Sequence, residues 1–341
     1  MGENTMTALC LTLEDWRNAL PDEPKFRAAQ IFGWLHKGMD FDDMSNLPKA
    51  LREWLKSRFG SAFPIMEDKQ TSHDGTRKYL WRMQDSEKVE SVAMQYSYGW
   101  SACLSVQVGC RMDCAFCATA KNGFTRNLSS GEILGQLLGM ARDIGSMPSK
   151  LTLMGMGEPL DNWNNVLAFL QLAHNPDGLN MGYRHMSLST CGLSKGLEQL
   201  LQAALPITLS ISLHAPDDAT RSKLMPCNKA MGVEQLIDFA KIYNDETGRR
   251  VSLEYVMIQG VTDADTQAAM LAKLLSGFAA HVNLIGLNAV TDSVYRPSDK
   301  AQVKRFAALL ERRGVQVTVR RKLGEDIDAA CGQLRAAVYE A

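Results

Sequence analysis

The segment GCRMDCAFC, residues 109–117, places Cys110, Cys114 and Cys117 within eight residues at Cys-x3-Cys-x2-Cys spacing. Three thiolates can hold three corners of a 4Fe–4S cube and leave one iron open to a small molecule, so the spacing points to a catalytic cluster. Zinc sites use four ligands, usually as two close pairs. Cys114 and Cys117 form one such pair, and no second pair occurs. His174 and His185 lie downstream without a partner at ligand spacing. Zinc and a redox-active thiol pair stay open as alternatives, whereas a structural disulfide would need an oxidising compartment.

Outward from this segment, the chain alternates strand and helix. Strand-like runs fall at residues 104–108, 150–154, 186–190, 207–213, 251–257, 282–287 and 316–320. Helical runs lie between them, at 131–144, 166–174, 233–244, 264–275 and 300–312. Such alternation predicts an α/β fold with a parallel sheet and outer helices, a partial TIM-like barrel of about six repeats. Upstream, the first sixty residues read as a helical accessory domain: Thr12 can cap one helix, Pro24 and Pro48 can open two more. Phe26, Ala29, Ile31, Phe32, Trp34 and Leu35 share a helical face, as do Leu51, Trp54, Leu55 and Phe59, and both sets read as core. Short strands are expected at 78–83 and 89–94. The expected division is a helical domain at 1–62, a short-strand linker region at 63–98, and the barrel with a C-terminal extension at 99–341.

Composition excludes little beyond the extremes. The 341 residues are 45% apolar and 22% charged, with net charge −1, ordinary for a globular protein. No apolar run approaches the ~20 residues of a membrane helix. Residues 1–14 carry acids and no basic start, unlike a signal peptide. Gly2 fits a myristoylation pattern but Met6 does not. The eight cysteines then read as reduced thiols of a cytoplasmic protein. Charge is unevenly spread: from Arg296 to Lys322 nine Lys or Arg face only Asp299 and Glu311. That tract suits a phosphate backbone, or simply a solvated helix face.

In a βα barrel, chemistry collects after the C-terminal ends of the strands. The cysteine triplet follows the first expected strand, and Gly155, Gly157 and Glu158 follow the second. Ser189 and Thr190 end the third, Ser212 and His214 the fourth, Asn288 the sixth. Individually each has a plain structural reading: a βα turn, a strand-end cap, a buried histidine. Their shared rim is the argument. Cys331, beside Gly332, and Cys103, seven residues before the triplet, are either small buried hydrophobes or working thiols.

The triplet is the signature of the radical S-adenosylmethionine (SAM) enzymes, and the wider set resembles one branch, the adenine methyltransferases of bacterial RNA (the RlmN and Cfr group). The matching segments are 107–110 (QVGC), 126–128 (RNL), 154–162 (MGMGEPLDN), 184–193 (RHMSLSTCGL), 210–216 (SISLHAP), 221–228 (RSKLMPCN), 281–285 (HVNLI) and 326–335 (DIDAACGQLR). The resemblance implies a 4Fe–4S cluster on Cys110, Cys114 and Cys117, with SAM contacted by Gly157, Glu158, Ser189, Ser212, Leu213, His214 and Asn288. It implies that Cys331 carries the methyl group, that Cys103 closes a transient disulfide with it, and that Glu90 accepts a ring proton. The implied substrates are 23S rRNA, at the peptidyl-transferase centre, and the adenine 3′ of the anticodon in tRNA. The implied helpers are a flavodoxin-like one-electron donor and a thiol reductant, acting on a monomer.

Carbon 2 of adenine is electron-poor and a poor nucleophile, which is why cofactor radical chemistry is needed. The target edge is hidden in a duplex, so a loop or flipped base is expected. Methylation of carbon 8 is the near rival, because residues 94–100 (MQYSYGW) depart from the carbon-2 pattern. A methylthiotransferase would need cysteines for a second cluster, and Cys10 is the only one before Cys103. A non-enzymatic, metal-bearing RNA-binding module is the rival of a different class.

Overall fold

The computed structural model describes residues 7–288 and 293–334. Gly2, Met6 and Arg335 lie outside the described residues. The N-terminal region is helical. Thr12 caps α1 (Leu13–Ala19) in a reciprocal box: Asp15 N donates to Thr12 Oγ1 at 3.1 Å, and Thr12 N donates to Asp15 Oδ2 at 2.9 Å. α2 (Phe26–His36) and α3 (Lys49–Phe59) follow, the latter entered from Pro48. Trp16, Ile31, Phe32, Leu35, Leu51 and Leu55 are buried. Phe26 and Trp54 are not core: they are 56% and 38% exposed. Phe26 is the first helical residue, and neighbouring arginines cover the two rings instead, Arg27 at 4.9 Å and Arg58 at 5.5 Å from the centroids.

Four antiparallel strands come next: β1 (Ile65–Thr71), β2 (Arg77–Arg82), β3 (Lys88–Tyr96) and β4 (Gly99–Cys103). After β5 (Gln107–Gly109), α4 (Ala118–Lys121) and β6 (Phe124–Asn127), the regular alternation begins. It runs α5 (Ser130–Ile144), β7 (Lys150–Leu153), α6 (Trp163–His174), β8 (Met186–Thr190), α7 (Ser194–Ala203) and β9 (Thr208–Ser212). It continues α8 (Asp218–Leu224), α9 (Val233–Thr247), β10 (Ser252–Met257), α10 (Asp265–Leu274), β11 (His281–Gly286), α11 (Lys300–Glu311) and β12 (Gln316–Val319).

One ten-stranded sheet, in the order β1-β2-β3-β4-β7-β8-β9-β10-β11-β12, contains all strands but β5 and β6. From β4 onward every pairing is parallel. The fold is therefore a mixed α/β, mostly parallel sheet with outer helices and a helical N-terminal region. Alternation sorts the side chains. Leu151, Leu153, Leu188, Leu209, Ile211, Leu253, Val282 and Leu284 are buried in the core, each worth about 1.5–3 kcal/mol of burial. The opposite face carries Ser189, Ser210, Ser212, Glu254 and Asn283, which meet as ladder partners across β8 to β11.

The strand expected at 104–108 is divided. The sheet strand is β4, one step earlier, and the chain then leaves the ladder so that β5 pairs with β6. An apolar run such as Leu104 to Val108 cannot reveal which neighbour its backbone will bond. The short strands between 63 and 98 are hydrogen-bonded into the same sheet, and Val92 on β3 pairs with Cys103 at the end of β4.

Candidate functional site

The residues singled out after the strand ends converge on one cavity of about 220 Å³. Its wall includes Cys110, Cys114 and Cys117, then Gly157, Glu158, Ser189, Ser212, His214 and Asn288, and also Cys103 and Cys331. Leu213 and Glu90 are not in that wall. Leu213 is a fully buried core side chain whose carbonyl accepts from Arg221 Nε at 3.0 Å. Glu90 is buried on β3, two residues before Val92 and so on the same strand face as the wall residues Val92, Met94 and Tyr96. Its carboxylate lies 3.5 Å from Lys78 Nζ.

The cysteine loop is held by backbone bonds. Cys110 N donates to Gly123 O at 2.7 Å, Ala115 N to Leu224 O at 2.9 Å, and Cys117 N to Cys114 O at 3.1 Å. Burial pushes the Cys110 thiol up to about 12 and the Cys114 thiol well above its ordinary value. Such thiols part with their protons only to a strongly attracting partner. With Cys117, they put three cysteines on one loop facing one cavity, which suits an iron–sulfur cluster.

Behind the loop, Glu158 organises the rim. Burial raises its pKa, and its two oxygens accept from Leu160 N at 3.0 Å and Cys191 N at 2.9 Å. Gly157 sits at φ +99°, and a Cβ there would come within 2.5 Å of Gln107 Cβ, so only glycine fits. Ser189 Oγ and Ser212 Oγ lie 3.5 Å apart. His214, at φ 58°, accepts from Val256 N at its Nδ1 (3.1 Å), and burial pushes its pKa down to about 3, so it is neutral. Asn288 Nδ2 donates to Cys331 O at 2.9 Å, while its buried Oδ1 has no partner among the described residues. An open acceptor in the cavity wall suits a donor on a bound molecule such as the SAM amino group.

Cys103 is buried at the end of β4, and burial pushes its thiol up to about 12, with Cys331 as the next cause. All eight cysteines are free thiols. Arg320, at the end of β12, lies in the same wall, 3.8 Å from Glu254. Its pKa is raised, chiefly by Cys331. Of the nine basic residues from 296 to 322, only Arg320, Arg321 and Lys322 border the cavity.

Sequence reading missed three residues. Arg221, fully buried, donates to the carbonyls of Cys191 (2.6 Å), Ser212 (3.0 Å) and Leu213 (3.0 Å) and to Asn228 Oδ1 (2.7 Å). It ties the ends of β8 and β9 together. Its only signal was membership of the matched segment 221–228. Glu254 and Arg320 gave less: one is an acid inside an apolar strand, the other one basic residue among nine.

The segment 104–272 matches the model of the radical SAM superfamily, and residues 11–60 match the ribosomal RNA large subunit methyltransferase N-terminal domain. A protein of Symbiobacterium thermophilum named probable dual-specificity RNA methyltransferase RlmN is 46% identical over 335 residues, covering 95% of this chain and 90% of its own. A protein of the same name from Desulforamulus reducens is 47% identical over 316 residues, covering 92% and 90%. The crystal structure of a radical SAM methyltransferase from Sphaerobacter thermophilus superposes with a TM-score of 0.94 at 39% identity, covering 97% of this chain and all of that one. With the cysteine loop and the conserved N-terminal domain both matched at this level, the chain belongs to the RlmN family of radical SAM RNA methyltransferases.

Proposed function

We propose that the chain methylates carbon 2 of an adenine in 23S rRNA and of the adenine 3′ of the anticodon in tRNA, with Cys331 as the methyl carrier. One observation carries the reading: a single cavity gathers the triplet Cys110, Cys114 and Cys117 with Cys191 from the rim and with Cys103 and Cys331 from opposite ends of the barrel sequence. A site needing only a cluster would have no use for them. The name shared by the relatives supports carbon 2 over carbon 8.

Cys110, Cys114 and Cys117 would hold the 4Fe–4S cluster, which together with SAM supplies the methyl group and the radical chemistry. Gly157, Glu158, Ser189, Ser212, Leu213, His214 and Asn288 would shape the SAM site. Two of them act indirectly: Glu158 holds the loop, and Leu213 contributes backbone while its side chain packs the core. Neutral His214 can donate from Nε2 without adding positive charge beside the sulfonium. Arg320 shares the cavity wall with Cys331 and places a positive charge there. Cys103 would then attack the Cys331 sulfur. The sulfur–carbon bond to the base breaks with its electron pair going to the carbon, which takes up a proton to become the methyl group; an S–S bond forms, and an external thiol reductant restores both thiols. Glu90 would take the ring proton, reaching the site from its position beside Val92 with Lys78 balancing its charge. Arg321 and Lys322 at the mouth would meet RNA phosphates. The enzyme would work in the cytoplasm as a monomer with a flavodoxin-like donor.

Nucleoside mass spectrometry of ribosomal and transfer RNA from a deletion strain, with and without this gene, tests the reading. Restored 2-methyladenosine in both RNAs is the expected result. Only 8-methyladenosine would overturn the carbon assignment, and neither product would overturn the function.

A further inference from the structure

The segment bearing Cys331 is bound by a turn some 250 residues away. Between β1 and β2 the chain reverses at Ser72, His73, Asp74, Gly75 and Thr76. Ser72 N donates to Thr76 O at 2.8 Å, and Thr76 N to Asp74 Oδ1 at 2.9 Å, so the turn is stiffened from within. Its outward groups then grip the far segment. Ser72 Oγ donates to Asp326 Oδ1 at 2.5 Å, His73 N to Asp326 Oδ2 at 3.2 Å, and Gly324 N to Asp74 Oδ2 at 2.9 Å. Gly324 stands at φ +66°, where a Cβ would come within 2.9 Å of Thr76 Cγ2 and 2.7 Å of Ala329 Cβ. The two pieces are in close contact.

On its other side, the same segment is bound to the barrel. Asn288 Nδ2 donates to Cys331 O at 2.9 Å, Ala118 N to Gly332 O at 2.7 Å, and Thr119 Oγ1 to Leu334 O at 2.5 Å. Cys331 is thus suspended between the start of α4, just beyond the cysteine loop, and the β1–β2 turn. Neither Asp74 nor Asp326 lines the cavity. The Asp326 side chain is 37% exposed. Bonds of that kind add little to global stability, so their effect falls on the register of the segment they hold.

We infer that the β1–β2 turn is a clasp, with Asp74 and Asp326 as positioning residues that set where Cys331 stands relative to the cluster loop and Cys103. The inference rests on the proposed role of Cys331 as methyl carrier. It explains why a helical-domain-to-barrel connection takes the form of an antiparallel ribbon joined to the sheet: the ribbon brings the turn to the segment. Geometry of this kind governs rate, since a displacement of about 1 Å can cost on the order of 100-fold when reacting atoms must be aligned.

The test uses the full chain with its cluster reconstituted, comparing wild type, Asp74→Ala and the milder Ser72→Ala. Peptide mass spectrometry would follow the alkylation rate of Cys331 by iodoacetamide and the fraction of Cys331 already S-methylated. A second assay would count methyladenosine formed per 5′-deoxyadenosine released. The expected result is faster Cys331 alkylation in both variants and at least a tenfold fall in methyladenosine per deoxyadenosine for Asp74→Ala, with KM for RNA and cluster iron unchanged. Unaltered alkylation, or unaltered coupling, would overturn the clasp. If Asp74→Ala lost its fold, Ser72→Ala alone would decide. A wild type with no S-methyl on Cys331 and no methylated RNA would instead overturn the methyl-carrier reading, whatever the alkylation rates.

Discussion

The cysteine loop at 110–117 and the segment around Cys331 face the same cavity but are supported in opposite ways. The loop is local in sequence, follows β5 outside the main sheet, and hangs on backbone bonds to Gly123 and Leu224. The Cys331 segment follows the last strand and is held by side chains from the β1–β2 turn, by Asn288 and by Thr119. A cluster must be held in one place, and a buried backbone frame does that. On the proposed mechanism Cys331 meets SAM, then RNA, then Cys103, and a segment held by a few polar contacts can shift slightly without unfolding the barrel. The difference teaches that the two regions rest on separate supports, so the roles proposed for them should be separable by mutation.

The largest expected effect separates them directly. Cys331→Ala should retain full iron and sulfide content yet form no detectable methylated adenosine, measured on the anaerobically purified protein. If that variant turned over normally, the two-part description would fail. Cys117→Ala should do the reverse, losing iron while leaving Cys331 free to be alkylated.

The rigid half has its own weak point. Arg221→Met would strip the guanidinium bonds from the carbonyls of Cys191, Ser212 and Leu213 inside the rim, leaving Leu213 O with Ala215 N. The expected cost is about 3 kcal/mol, read from the urea midpoint, with cluster content falling in parallel. A variant as stable as wild type would show that the rim does not depend on this arginine.

The smallest effect at neutral pH is acid sensitivity, which grows only on acidification. His214 is neutral in the fold, its pKa pushed from 6.5 to about 3, so the unfolded chain binds the extra proton. Stability from this group is fully present above pH 6.5 and is lost as pH falls from there toward 3, by about 1.4 kcal/mol per pH unit. His214→Gln should flatten that part of the stability–pH curve. An unchanged slope would mean that other groups set it.

Much of this was legible in the sequence. Thr12 and Asp15 announce a helix start, and Met186 to Thr190 and Val251 to Met257 announce strands, because local periodicity and capping chemistry act within a few residues. Most of the rim residues could be placed because strand ends are local features too. Phe26 and Trp54 misled, since an apolar residue near a helical stripe can still face solvent. Leu213 was placed in the SAM site by its segment; its side chain packs the core, which leaves its backbone to face the site.

Sequence alone determined the chemistry: the spacing of Cys110, Cys114 and Cys117, the ordered segments around them, and with these the family. Tertiary structure decided the assembly. Only the folded sheet brings Cys103 and Cys331 to one cavity, ties β8 to β9 through Arg221, narrows nine basic residues to three that border the cavity, and sets Asp74 beside Gly324. Ligand spacing is a short-range property written in consecutive residues. Contacts between residues 72–76 and 324–326 depend on how a ten-stranded sheet twists its first hairpin toward its last strand, and no short window of sequence records that.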